Sequence, residues 1–288
     1  MIAARAGVPS PTPWKAIGWS IAFLASGLVL TLAVLAPLAA LFPVSLDDPL
    51  QAAMVQTVAM LIGFGVATWL VGVRGARLTG RDLRWIPVRA GANGFGRGLL
   101  IGILPGLAAL ILGVLAGSAR WSLDGGSFTA WLGVVTGLGA VLLPAALAEE
   151  VVFRGVALVL LAAVAGRWVA GTALALLFAL AHLANPDIGA IGLGNIALAG
   201  VFLTGCFYLP GGIWTATGAH LGWNLSLAAL AAPVSGLPFG VPLLDFDPGG
   251  PAWFTGGAFG PEGGVAATLV LAVATVLVIR TVSKERVA

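Results

Sequence analysis

Two adjacent carboxylates, Glu149 and Glu150, and a guanidinium at Arg154 interrupt an apolar run extending from 131 to 165. Charged groups in a bilayer-spanning segment each cost about 2.5–3.5 kcal/mol even on lenient insertion scales, and they mark a functional site by default. On a helix, Glu150 and Arg154 lie four residues apart on one face and pair, whereas Glu149 points about 100° away and is free for another task. Two later segments each add an imidazole, His182 and His220, the only histidines in the chain. Phe178 shares a helical face with His182, and Asn224 shares one with His220. A carboxylate and an imidazole can hold and deprotonate a water that attacks a carbonyl. A second imidazole and an amide N–H can donate to the oxyanion that develops. These are the parts for peptide-bond hydrolysis without a Ser or Cys nucleophile.

The same residues have other uses. Glu149, His182 and His220 are a ligand set for zinc. The sequence has no H-E-x-x-H pattern and the three ligands come from separate segments, which leaves metal open; no cofactor is required by the hydrolytic reading. As packing residues alone, Glu150 and Arg154 form a buried pair that locks two helices, and each histidine is a hydrogen-bonded core group. That reading serves the pair well and the full set poorly.

The elements that must position these groups are transmembrane helices. The chain has 288 residues, 59% hydrophobic and 9% charged, against about 25% charged in soluble domains, and its mean hydropathy is +1.06. Repeated apolar runs of about 20 residues define a polytopic, all-α membrane protein. Its length suits one membrane domain, 1–288, with no room for a separate soluble one. A net charge of +3 assigns the basic residues to topology and lipid headgroups rather than to nucleic acid. The lone Cys206 forms no internal disulfide and reads as a packing residue.

Eight spans are expected in one bundle, at about 16–44, 50–73, 98–117, 131–165, 168–184, 188–209, 213–232 and 265–279. The fourth is longer than one crossing, and Pro144 is expected to kink it or to mark an interfacial piece. A cytoplasmic N-terminus puts Arg5, Lys15, the six arginines between 74 and 97, Arg167, Arg280, Lys284 and Arg286 inside, 12 of the 14 basic residues. Asp47, Asp48, Asp124, Asp187, Asp245, Asp247 and Glu262 fall outside. The positive-inside rule therefore puts both termini in the cytoplasm, most naturally at the cell membrane. The Pro/Gly-rich stretch 233–264 reads as either a lid or a connector. No internal repeat supports an inverted-repeat transporter, and the glycines at 94, 96 and 98 follow no strand and make no nucleotide loop. Gly218 and Gly222 are a small-xxx-small pair for close helix packing. At about 1.5 Å per residue from the cytoplasmic ends, Glu149, His182 and Asn224 lie roughly 18–22 Å deep and His220 roughly 12 Å deep, so one cavity can gather them.

Taken together, Glu149-Glu150-x-x-x-Arg154, Phe178-x-x-x-His182 and His220-x-x-x-Asn224 resemble the three motifs of the CAAX-protease and bacteriocin-processing intramembrane peptidase family. Its eukaryotic members are type II CAAX prenyl endopeptidases. The resemblance covers the fourth to seventh spans, about 140–226, as a catalytic core. It implies that Glu149 is the water-activating base, helped by His182. It further implies that His220 and Asn224 stabilise the oxyanion while Glu150, Arg154 and Phe178 support the site's shape. The expected function is an intramembrane endopeptidase acting on a membrane-associated peptide or protein, prenylated or not. The alternatives are a non-catalytic peptide-binding scaffold or immunity protein of the same fold and, third, a proton-coupled transporter.

Overall fold

The computed structural model describes residues 11–41 and 49–284. In chain order the elements are α1 (Pro13–Leu41), α2 (Pro49–Ala67), which runs on into a π-helical stretch (Thr68–Gly75), and α3 (Val88–Leu115). Then follow β1 (Arg120–Ser122), α4 (Phe128–Arg154), α5 (Val156–Ala165), α6 (Arg167–Ala181), α7 (Ala190–Tyr208) and α8 (Ile213–Ala228). The chain closes with β2 (Asp245–Asp247), α9 (Ala252–Thr255) and α10 (Val265–Lys284). Among the described residues six stretches are long and apolar enough to cross a bilayer: Pro13–Leu41, Gln51–Gly75, Arg89–Leu115, Phe128–Ala165, Ala190–Tyr208 and Val265–Lys284. Large aliphatic side chains such as Leu28, Leu32, Val273 and Leu277 point outward from α1 and α10, as a lipid-facing surface requires. The protein is a polytopic helical integral membrane protein. Of the eight expected spans, α6 and α8 have only 15 and 16 residues.

Three boundaries differ from the sequence reading. Helix α3 starts at Val88, ten residues before the expected span, so Arg89 and Arg97 ride on its first turns instead of in a loop. Helix α4 continues through Pro144, and the interruption falls at Gly155, whose ψ of −130° lies outside the helical range. A Cβ there would strike the Val151 carbonyl, so only glycine turns the chain so tightly one residue after Arg154. The antiparallel pair of β1 and β2, with Trp121 opposite Phe246, is a small departure from an all-helical chain. Arg5, Asp47, Asp48 and Arg286, used above to read topology, lie outside the described residues.

Helix α8 is held by α3 through backbone proximity. Gly94, Gly98, Gly102 and Gly106 form a four-residue repeat along α3, and Cβ atoms on them would meet Thr215, Ala219, Trp223 or Ser226 of α8. Reciprocally, Cβ atoms on Gly218 and Gly222 would run into the Phe95 and Leu99 carbonyls of α3. Membrane helices lack a hydrophobic drive to associate, so small residues that let backbones approach fix their pairing. The α8 residues His220 and Asn224 inherit that fixed position.

The two ends of the bundle are pinned differently. At one end Arg84 donates through Nε to the Phe207 carbonyl (2.9 Å) and through Nη2 to the Leu209 carbonyl (2.8 Å), capping α7. Arg167 lies over the ring of Tyr208 at the same end. At the other end Arg120 pairs with Asp247 at 2.8 Å. The indoles of Trp121 and Trp131 there donate to the Leu230 and Ala229 carbonyls at the end of α8.

Candidate active site

The site begins on the last turn and a half of α4. Glu150 is fully buried and Arg154 is 1% exposed, and they pair at 3.1 Å through Glu150 Oε1 and Arg154 Nη1. The rest of the guanidinium is also occupied. Nη2 donates to the Gly200 carbonyl of α7 at 3.0 Å, and the group lies 4.9 Å from the centre of the Phe178 ring. A buried charge is tolerated only when paired and hydrogen-bonded in this way. Phe178 also packs edge-on against Phe153, His182 and His220, so the middle motif's aromatic ring is the hub between the other two motifs.

Both imidazoles are anchored through Nδ1. Helix α6 ends at Ala181, and the Phe178 carbonyl in its last turn accepts from His182 Nδ1 at 2.7 Å. His220 Nδ1 donates to Glu150 Oε1 at 2.9 Å. With a carbonyl and a carboxylate as acceptors, Nδ1 is the donor in each ring. In each ring Nε2 is therefore the nitrogen left for chemistry. His220 Nε2 lies 3.6 Å from Glu149 Oε2, beyond a direct hydrogen bond. Glu149 Oε2 is buried with no hydrogen-bond partner, although the Glu149 side chain as a whole is 28% exposed. Among the described residues no hydrogen bond or ion pair joins Glu149 to His182.

His182, His220, Asn224 and Phe178 line one cavity of ≈ 30 Å³, room for a water or two. The structure thus brings together all seven residues singled out above: four line the cavity, Glu149 flanks His220, and Glu150 and Arg154 brace it from within the bundle. Among the described residues no group of three or more His, Cys, Asp or Glu side chains is disposed to hold a metal ion.

Three further lining residues carry polar side-chain groups and were not singled out from the sequence. Trp223, Ser235 and Glu262 share the cavity wall, and Glu262, read from sequence as a loop charge, is only 8% exposed. The stretch 233–264 carries β2, α9 and two short 3-10 turns, and through Ser235 and Glu262 it covers one side of the cavity. The signal in the sequence was slight: Glu262 is the only acid between Asp247 and Glu285 and abuts the last apolar run.

Comparison with known proteins adds one finding. No curated protein and no solved structure matches the chain. Residues 126–226 match the family model described as Rce1-like, type II CAAX prenyl endopeptidase Rce1-like. The matched stretch opens just before α4, ends within α8 and holds all three motifs, leaving α1 to α3 and α10 outside it. Residues 126–226 of this helical membrane protein are thus similar to a protease family, the Rce1-like type II CAAX prenyl endopeptidases.

Proposed function

We propose that this protein is an intramembrane endopeptidase that hydrolyses a peptide bond of a membrane-associated peptide or protein. The observation that carries the reading is the unpartnered, buried Oε2 of Glu149, held 3.6 Å from His220 Nε2 beside a water-sized cavity. Such an oxygen is costly to leave unsatisfied, and a water that donates to it becomes the nucleophile. Glu149 takes the water's proton while His182 Nε2 steadies the same water. The hydroxide adds to the scissile carbonyl, and the oxyanion is met by the Asn224 amide and by His220 Nε2–H in the cationic ring. The proton passes from Glu149 to the amide nitrogen, the C–N bond breaks and two peptides leave. Glu150 and Arg154 take no part in bond making. They hold His220 by its Nδ1–H and set the tilt of its ring.

In this reading one membrane domain, 1–288, crosses the cell membrane eight times with both termini cytoplasmic. Helices α6 and α8 are the two short crossings, joined to the longer α7 by residues 182–189 and by the four-residue turn 209–212. Cleavage of a membrane-anchored peptide library by purified protein in detergent tests the proposal, with wild type, Glu149→Gln and His182→Ala compared with and without a chelator. Products from wild type that fall by about 10²–10⁴-fold in both variants are expected. Equal products from all three, or binding of peptide by wild type without cleavage, contradict it; the second outcome makes the protein a scaffold. Loss of wild-type cleavage with the chelator assigns the water to a metal.

A further inference from the structure

Glu262 belongs to none of the three motifs. It sits in the 3-10 turn Pro261–Gly263 and lines the same cavity as His182, His220 and Asn224. Its carboxylate is satisfied wholly by neutral donors. Oε1 accepts from Trp223 Nε1–H at 2.9 Å, and Oε2 accepts from both the main-chain N–H and the hydroxyl of Ser235. Among the described residues no cation pairs with it. Its main-chain carbonyl accepts from Asn195 Nδ2 at 2.8 Å, which also donates to the Gly264 carbonyl. Asn185, three residues past His182, donates to the Ser235 carbonyl at 3.0 Å. The stretch 233–264 is therefore tied, around this one side chain, to the end of α6, to α7 and to α8.

The donor set explains why the residue is an acid. An N–H from α8 and an N–H from the covering stretch both point at it, and a carboxylate accepts from both, whereas an amide must turn one N–H against a donor. Trp223 precedes Asn224 and follows His220 by three residues, so holding its indole holds the turn of α8 that carries both. We infer that Glu262 is a positioning residue of the active site, clamping Trp223 to Ser235 so that the covering stretch closes the cavity and Asn224 is held at its wall. This rests on the peptidase reading of the cavity.

The clamp has readouts independent of turnover. Full-length protein labelled with 5-fluorotryptophan in detergent gives a Trp223 fluorine resonance, identified by its loss in Trp223→Phe. Glu262→Gln keeps an acceptor for Trp223 but opposes the Ser235 N–H. Its resonance is expected to stay near wild type while protease cutting within 233–264 rises roughly tenfold, the equivalent of about one buried hydrogen bond. Glu262→Ala is expected to shift the resonance and raise cutting together. In peptide cleavage, Glu262→Gln raises KM about tenfold with kcat near wild type, and Glu262→Ala also lowers kcat about tenfold. An unmoved resonance and unchanged cutting in Glu262→Ala overturn the clamp; if that variant does not fold, unchanged cutting in Glu262→Gln does so. Moved clamp readouts with wild-type KM and kcat overturn the positioning role and leave a structural one. A wild type that cleaves nothing removes the peptidase reading and the positioning role with it, while resonance and cutting still decide the clamp.

Discussion

Two carboxylates are buried beside one cavity, and they are held by opposite means. Glu150 is fully buried against a cation, Arg154, and an imidazole, His220. Glu262 is buried against an indole, a main-chain N–H and a hydroxyl, with no cation in reach among the described residues. Separating the first pair strands a charge in a low dielectric, at about 3–5 kcal/mol. Each donor of the second exchanges for water at about 1–3 kcal/mol or less. The α4–α8 side of the cavity is thus the more firmly held wall, and the stretch 233–264 the more weakly held one. The proposed peptidase activity calls for both: a rigid place for chemistry and a wall that yields to a peptide.

That contrast can be broken in order of effect. Arg154→Ala takes the cation from Glu150, leaving it only the His220 imidazole, removes one donor from the Gly200 carbonyl, and is expected to cost about 3–5 kcal/mol; loss of folded protein on detergent gel filtration reads it. Gly102→Val forces a side chain against the Ala219 carbonyl and is expected to cost about 1–3 kcal/mol. A lower thermal midpoint together with lost turnover checks this, because α8 carries His220 and Asn224. Trp223→Phe removes one donor from Glu262 and is expected to cost about 1–2 kcal/mol, with faster proteolysis of 233–264 as the observable. Arg120→Ala breaks a pair whose side chains are 81% and 51% exposed. It is expected to change stability by under about 1 kcal/mol and to lose even that in high salt.

The same two clusters show what was legible before folding. Glu150 and Arg154 are neighbours on one helix, so spacing alone pairs them, and the hydrocarbon around them makes their charge conspicuous. His182 and His220 stand out as the only imidazoles. The contact of His220 with both glutamates was not legible, since it depends on how α8 lies against α4. That in turn depends on the Gly94–Gly98–Gly102–Gly106 repeat, in which only the glycines at 94 and 98 drew notice, as a rejected nucleotide loop. Glu262 was illegible for a different reason. Its side-chain partners, Trp223 and Ser235, lie 39 and 27 residues away in sequence, and a Pro/Gly-rich stretch has no periodicity from which to read a buried face. Gly155 was passed over because proline is the stronger sequence signal for a helix break, yet α4 absorbs Pro144 and ends where a tight turn admits no Cβ.

Glu149 is the residue on which the proposed hydrolysis turns. Peptide binding and single-turnover cleavage by wild type and Glu149→Gln, measured side by side on folded protein, separate its chemistry from its packing. The expected result is binding within about twofold and a cleavage rate lower by about 10²–10⁴-fold. Cleavage by Glu149→Gln at the wild-type rate contradicts the assignment of the water's base to this carboxylate.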